Sequence, residues 1–311
     1  MSNCKLYSIV IPVYGTTQSL VEIAERVKVV FQELPGKSYE LIFVNDCSSH
    51  DGTAPTLQSL YQHDPNVCII TLSRNFGQQS ATLCGIHHAK GDFIITMDDD
   101  LQHKPEAIPL LIENEVHDVV IASFEHKKHP PLKRFASKLK GWFDYIILKK
   151  PKHLHLTAFR LISRCVADGL KECQTPYPFI SAMIFRITTD IVNVNVQHHS
   201  RSDGHSQYTY WKMIRVFSNL LINNSYLLLR VLGFIGFSGF FLTLVISAYL
   251  IARYFLWGFG VTGWASLLLA VVFFGGLTLF GVGVIGEYLL RILINLEHKN
   301  MYYIKSLQRH D

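Results

Sequence analysis

The amino-acid sequence predicts an α/β domain that continues into a C-terminal two-helix transmembrane hairpin. Three observations lead to this fold class. Short β-branched runs alternate with segments of helical periodicity over the first hundred residues. Polar, carboxylate-rich turns follow two of those runs. The excess of apolar residues lies almost entirely after position 227, which indicates a membrane module rather than a larger soluble core.

The alternating elements of the first hundred residues predict an open parallel sheet. The predicted strands are Ser8–Val13, Glu40–Asn45, Val67–Leu72 and Asp92–Met97. The predicted helices are Thr17–Phe31, Gly52–Tyr61 and Gln78–Ala89. Strands that alternate with helices favour parallel pairing with right-handed crossovers. Ligands bind beyond the carboxyl ends of such strands, where the polar turns of this chain lie.

Two long apolar stretches predict the membrane hairpin. Leu227–Phe255 and Trp264–Leu290 each exceed the roughly 20 residues that cross a hydrocarbon core of about 30 Å. Lys and Arg flank both stretches but are missing from the turn between them, so both ends are expected on the cytoplasmic side of a bacterial inner membrane. The predicted organisation is a cytoplasmic domain (1–209), an amphipathic juxtamembrane helix (210–226), the two spans (227–290) and a cytoplasmic tail (291–311).

The charge distribution predicts contact with a membrane surface. The formal net charge is +5, and nine basic residues lie between Lys127 and Lys152. An anionic lipid surface suits this cluster better than nucleic acid does, given the apolar C-terminal region. The segment Pro131–Leu148 reads either as an interfacial amphipathic helix or as an ordinary surface helix. The six cysteines have no metal-site or disulfide spacing and are interpreted as free thiols.

The turn after the fourth strand predicts a divalent cation site. Asp98 and Asp100, with the Gln102 amide oxygen, could point at one hard cation, and Mg²⁺ or Mn²⁺ prefers such oxygen ligands. A solvated acidic loop is the alternative. Asp46, after the second strand, is a candidate to accept hydrogen bonds from a base or ribose, whereas Ser49 or Asp51 is expected to cap the following helix.

Seven motifs follow one another along nearly the whole chain: SIVIPVYG (8–15), VNDCSSHDGT (44–53), RNFGQQSATLCG (74–85), GDFIITMDDDLQHKPE (91–106), FRLISR (159–164), HHSRSDGHSQY (198–208) and GVIGEYLLRI (283–292). In this order they resemble the motifs of family 2 glycosyltransferases, and within that family those of the polyprenyl-phosphate transferases. The resemblance implies a GT-A (Rossmann-like) catalytic domain, a divalent cation (Mg²⁺ or Mn²⁺) and inversion at the anomeric carbon. It also implies a homo-oligomer, with a tetramer as the expected form.

The resemblance also assigns roles to individual residues. Those expected to bind the nucleotide sugar are Pro12, Tyr14, Val44, Asp46, Asp98, Asp99 and Asp100. Those expected to hold the cation and diphosphate are Asp98, Asp100 and Gln102. Arg201 is expected to reach the donor phosphates from a loop that closes over the site, and acts as a catalytic residue with Asp98 and Asp100. The acceptor phosphate is assigned to Arg134, Ser137 and Arg160.

Four positions depart from the family pattern, and one of them bears on the acceptor. Thr16, Glu125 and Gln207 replace residues that the family usually carries, and Ala158 stands where many members have Asp. A sugar hydroxyl needs a general base in order to attack. A phosphate monoester, with a second pKa of about 6, is already anionic near neutral pH. A site without an obvious base therefore favours a polyprenyl phosphate acceptor.

Two other functions remain open at this point. A processive polysaccharide synthase of the same fold is disfavoured because the chain has no Q-x-x-R-W motif and only two predicted spans. A non-catalytic membrane-bound scaffold is disfavoured by the intact carboxylates. The sequence does not identify the sugar, and a UDP-linked donor is the expected nucleotide sugar.

Overall fold

The computed structural model describes residues 4–15, 17–48, 52–124, 154–173, 175, 178–196, 263–296 and 301–310, with five isolated positions between 234 and 252. The chain divides into two compact units. The first comprises Met1–Gln207 and Lys299–Asp311, and the second comprises Tyr208–His298.

One mixed sheet organises the first unit. Its strands are β1 (Lys5–Val13), β2 (Lys37–Asn45), β3 (Val67–Leu72), β4 (Phe93–Thr96), β5 (Val119–Phe124), β6 (Arg160–Ser163), β7 (Ile191–Val196) and β8 (Ile304–Gln308). They lie in the order β7-β5-β6-β4-β1-β2-β3-β8. Strands β6 and β8 run antiparallel to their neighbours, and the other pairs are parallel.

Helices flank the strands of this unit. They are α1 (Gln18–Gln32), α2 (Thr53–His63), α3 (Gln78–His88), α4 (Ile108–Ile112), α5 (Arg164–Glu172) and α6 (Ile180–Ile187), with a 3₁₀ turn at Pro105–Ala107. Strand β1 is buried continuously from Tyr7 to Val13, as expected for a central strand that is covered on both faces. The apolar stripe of α1, from Leu20 to Phe31, faces the core.

The four strands and three helices predicted for the first hundred residues are confirmed, with ends that differ by three residues or fewer. The prediction of a parallel sheet needs correction, because β6 and β8 make the sheet mixed. Strand β6 has four residues, which is too short for side-chain alternation to reveal it in the sequence.

The last strand of the chain belongs to the sheet of the first unit. Residues 291–311 were predicted to form a tail, yet β8 pairs with β3 and covers its edge. Arg309 donates to the His88 carbonyl over 2.7 Å, and His310 stacks on Tyr61 with 4.0 Å between ring centroids. The sequence gives little sign of this strand because its three central residues, Lys305 to Leu307, are all exposed and show no alternation of apolar and polar side chains.

The second unit contains the helix α7 (Trp264–Leu296), which includes the second predicted span. In the first predicted span, Phe234, Ser238, Val245, Tyr249 and Ala252 are described, and each is helical and exposed. Among the described residues alone, no helix combines the length and apolar character needed to cross a membrane. The predicted helices at 131–148 and 210–226 lie outside the described residues.

Candidate functional site

The loops after β1, β2 and β4 meet at one edge of the sheet. The order β4-β1-β2 places the reversal of strand order between β1 and β4, and ligands bind at such a point. The Gly15 amide, after β1, donates to Ser48 Oγ, after β2, over 3.0 Å. The Tyr14 amide donates to Asp99 Oδ2, after β4, over 3.4 Å. The predicted convergence of polar residues is therefore present.

The acidic turn after β4 is held by backbone geometry and a buried histidine. Leu101 has φ +58°, a left-handed conformation that is uncommon for a residue with a branched side chain. The Gln102 amide donates to Asp100 Oδ1 over 3.1 Å. The Asp98 amide donates to His103 Nδ1 over 3.0 Å, and the His103 ring stacks on Phe159. These contacts fix Asp98 and Asp100 in one tight turn.

The environment of Asp98 disfavours the negative charge of its carboxylate. Burial, followed by repulsion from Asp100, raises the pKa of Asp98 to about 6. The charge of Arg160 and a hydrogen bond from Gln78 Nε2 to Asp98 Oδ1 (2.6 Å) act in the opposite direction. A cation placed between the two carboxylates would offset this repulsion.

This turn suits a divalent cation that completes its coordination with a ligand. The oxygens of two carboxylates and of the Gln102 side-chain amide are hard ligands of the kind that Mg²⁺ and Mn²⁺ prefer. Within the described part of the chain, no group of three or more His, Cys, Asp or Glu side chains forms a metal site. The predicted cation ligands Asp98, Asp100 and Gln102 stay a prediction.

Asp46 holds the loop that leads into α3. It is 3% exposed, and its two oxygens accept hydrogen bonds from the amides of Phe76 (2.7 Å) and Gly77 (2.8 Å). Burial raises the pKa of Asp46, and these two amides oppose that effect. Gly77 has φ +90°, which only glycine adopts without strain. The contact of Asp46 with the nucleotide stays a prediction. The structure shows in addition that Asp46 holds this loop, which the sequence did not predict.

The other predicted nucleotide residues after β1 and β2 differ in exposure. Tyr14 is 55% exposed at the site and is available to a ligand. Pro12 and Val44 pair in register within the sheet and are buried. The Val44 side chain packs in the core on the face of the sheet that α3 covers. The predicted contacts of Pro12 and Val44 with the nucleotide stay predictions.

Arg160, which was predicted to bind the acceptor phosphate, is a buried residue. It lies on β6, is 4% exposed, and its Nη1 donates to Ser181 Oγ over 3.1 Å. Strong burial lowers the pKa of Arg160 to about 10. Little of its surface is exposed, and its assignment to the acceptor phosphate stays a prediction. Arg134, Ser137 and Arg201 lie outside the described residues, and their roles remain predictions.

Two site residues were missed by the sequence reasoning. Gln78, the first residue of α3, contacts Asp98, and His103 supports the acidic turn. For both residues, the only signal in the sequence was their position next to another feature. Gln78 follows a glycine that begins a helix, and His103 directly follows the predicted metal ligand Gln102. Contacts between sequence-distant loops cannot be read from such local patterns.

A solved structure shares the fold. Glucosyl-3-phosphoglycerate synthase from Mycobacterium tuberculosis, crystallised with Mn²⁺, UDP and phosphoglyceric acid, superposes with a TM-score of 0.51. The two chains are 12% identical, and the match covers 70% of this chain and 76% of the synthase. The likeness shows an α/β GT-A fold.

The sequence comparisons extend along the whole chain. An undecaprenyl-phosphate 4-deoxy-4-formamido-L-arabinose transferase from Shewanella sediminis is 30% identical, over 98% of this chain and 93% of the relative. A bactoprenol glucosyl transferase from Shigella phage SfV is 32% identical, over 96% of this chain and 98% of the relative. The profile of glycosyl transferase family 2 matches residues 8–166. The chain therefore belongs to glycosyl transferase family 2.

Proposed function

We propose that this protein transfers one sugar, with inversion, from a UDP-sugar to a polyprenyl phosphate of the undecaprenyl type at the cytoplasmic face of a membrane. The observation that carries the proposal is the acidic turn Asp98–Gln102 at the reversal point of the sheet. Two relatives that match almost the entire chain are named for transfer to undecaprenyl phosphate or bactoprenol. The product would be a lipid-linked sugar for cell-envelope glycans.

The donor half of the reaction needs charge neutralisation at the diphosphate. Asp98 and Asp100, with Gln102, would hold Mg²⁺ or Mn²⁺, and the bound cation supplies neutralisation of the leaving diphosphate. Tyr14 and the loop held by Asp46 border the same edge and would contact the nucleoside. Arg201 would approach the donor phosphates, where a planar guanidinium can make paired hydrogen bonds.

In the acceptor half of the reaction, the enzyme has to position the attacking phosphate more than it has to transfer a proton. A phosphate monoester is anionic near neutral pH, so the phosphate oxygen can attack the anomeric carbon without a general base. The side chain of Ala158 cannot act as a base, which supports this acceptor class over a sugar hydroxyl. Arg134 and Ser137 would bind the acceptor phosphate, and the surrounding basic residues would face anionic headgroups.

Membrane attachment completes the proposal. The segment Trp264–Gly286 contains no charged residue, and the described apolar side chains of α7 are largely exposed. A lipid acceptor requires its tail to stay in the bilayer while the phosphate reaches the site, and a hairpin at 227–290 would keep the enzyme there. Glycines along both segments favour close helix packing, so we include a homo-oligomer, with a tetramer as its expected form.

A donor panel tests the proposal. The full chain, purified in detergent, is incubated with Mn²⁺, a short polyprenyl phosphate and each of several UDP-sugars and GDP-sugars, and the products are weighed by mass spectrometry. The expected result is a lipid product one sugar heavier than the acceptor with at least one UDP-sugar. A ladder of added sugars would identify a processive synthase. No product with any donor would support a non-catalytic scaffold and would contradict the proposal.

A further inference from the structure

A small cavity lies against Asp98. Its lining includes Gln78, Gln79, Thr96, Asp98, Ala158 and Arg160. It has room for a group the size of a water molecule. Ala158 is one of the lining residues, and its side chain is a single methyl group.

A buried cation in the cavity wall lacks a full set of partners. Arg160 is 4% exposed, and its buried Nε has no hydrogen-bond partner among the described residues, although Nη1 donates to Ser181 Oγ. A buried N–H of a charged group that stays unpaired is costly, so such a group calls for an explanation. The Nε atom can only donate, and its missing partner must be an acceptor atom.

The neighbouring polar groups add an acceptor and a second donor. Thr96 Oγ1 donates to the Ala158 carbonyl over 2.6 Å, so its proton is already used and toward the cavity it can only accept. Gln79 Oε1 accepts from the Ile180 amide over 3.1 Å, which leaves the Gln79 NH₂ as the group that this side chain can offer. With the carboxylate of Asp98, the cavity wall therefore presents acceptors beside N–H donors, and this combination fits a hydroxyl group, which both accepts and donates.

We propose that this cavity is a specificity subsite that receives one hydroxyl group of the donor sugar, with Arg160 Nε as the hydrogen-bond donor to its oxygen and Thr96 Oγ1 or Asp98 as the acceptor of its proton. The inference rests on the proposed function. The cation held by Asp98 and Asp100 would bind the diphosphate, and the sugar is bonded to that diphosphate. The sugar therefore lies beside Asp98, within reach of the cavity behind it. Arg160 would select the sugar rather than bind the lipid.

Binding measurements with matched ligands separate the sugar from the nucleotide. Isothermal titration of the full-length protein in detergent with Mn²⁺ gives the Kd of UDP, UDP-glucose, UDP-N-acetylglucosamine and UDP-glucuronic acid. The variants are Arg160→Met, which removes the donor at similar volume, and Ala158→Val, which fills the cavity without a charge. Thermal unfolding confirms that each variant is folded, and Ala158→Val provides a test should Arg160→Met fail to fold.

The expected result is selective loss of affinity for the sugar. Wild type should bind one UDP-sugar more tightly than UDP, and both variants should weaken that UDP-sugar by about tenfold or more, the cost of one lost hydrogen bond to a charged group. Their Kd for UDP should change by no more than about twofold. Equal weakening of UDP and UDP-sugar, or an unchanged preference in the folded variants, would overturn the subsite. A wild type that binds no nucleotide sugar would overturn the proposed function together with this inference.

Discussion

Asp46, Asp98 and Asp100 lie at one edge of the sheet, but their carboxylates have different roles. Asp46 is buried and uses both oxygens on the backbone of the next loop. Asp98 and Asp100 share one turn, and their repulsion contributes to the raised pKa of Asp98. The first carboxylate therefore stabilises a loop, while the other two form a place where a cation lowers the electrostatic energy.

Replacing Asp100 with Asn tests the cation site. Asp100→Asn keeps the shape and removes one negative charge, so turnover at limiting Mn²⁺ should fall on the order of 100-fold, as when one preorganised charge-stabilising group is lost. Excess Mn²⁺ should restore part of the rate. The control is Asp168→Asn, on an exposed position of α5, which should behave as wild type. Near-normal activity of Asp100→Asn at limiting metal would refute the assignment.

Replacing Asp46 with Asn tests the loop contact. The amide can accept with one oxygen only, and its NH₂ would face a backbone N–H. We expect a loss of about 1–3 kcal/mol in the free energy of unfolding, the cost of a buried unsatisfied group. Thermal unfolding of the full-length protein measures this change. An unfolding temperature equal to that of wild type would show that the hydrogen bonds to Phe76 and Gly77 contribute nothing.

At the scale of elements, α3 connects the candidate site to the C-terminal segment. Its first residue, Gln78, contacts Asp98, and near its end His87 Nδ1 lies 2.8 Å from the Tyr302 hydroxyl. Gly85 allows the helix to approach β1 closely, because an added Cβ would lie 2.2 Å from Val10 Cγ1. Because α3 is held at both ends and along its length, Gln78 has a fixed position beside Asp98.

The contact between α3 and the C-terminal segment predicts a pH dependence. Burial lowers the pKa of His87 from its ordinary 6.5 to about 4. The unfolded chain therefore takes up a proton first as the pH falls, and stability should decrease between pH 6.5 and 4. Between pH 6.5 and 5 the loss should be about 2 kcal/mol.

Thermal unfolding at pH 7 and pH 5 measures this effect in wild type and in His87→Gln. The variant has no titrating group at this position, so its unfolding temperature should fall less on acidification. The control His63→Gln, at an exposed histidine, should follow wild type. An equal acid sensitivity of wild type and His87→Gln would contradict the prediction.

The elements also show which parts of the fold could be predicted. Strands such as Val67–Leu72 and the amphipathic α1 are long enough for periodicity to identify them, and their bounds are close to those predicted. Strand β6 is too short, and β8 lies far along the chain from its partner β3. The position of Arg160 follows from the pairing of β6 with β4, which no local pattern contains. Site residues on local turns were therefore predictable, and those brought in by distant strands were not.

At the scale of the whole molecule, the chain leaves the catalytic unit at Gln207 and returns to it at Lys299. Both ends of the second unit are therefore joined to the same catalytic unit. This connectivity supports our proposal of an even number of crossings, with the catalytic unit and the C-terminus on one face. The predicted turn between the spans, 256–263, would lie on the opposite face.

Cysteine labelling in intact cells tests this topology. Gly260→Cys should react with a membrane-impermeant maleimide added outside the cells, because the turn is expected on the outer face. Asp311→Cys should react only after the cells are opened, like the native exposed Cys4, Cys47 and Cys165. Protection of Gly260→Cys, or labelling of Asp311→Cys in intact cells, would contradict the hairpin.

The central claim is that a polyprenyl phosphate, not water or a growing glycan, receives the sugar. Its most direct test is one measurement, the mass of the lipid product formed by the full-length protein from undecaprenyl phosphate and the UDP-sugar it binds most tightly. The account predicts a product of one sugar joined through one phosphate to undecaprenol, dependent on Mg²⁺ or Mn²⁺ and absent with Asp98→Asn. Release of free sugar with the lipid left unchanged, or formation of a polymer, would contradict it.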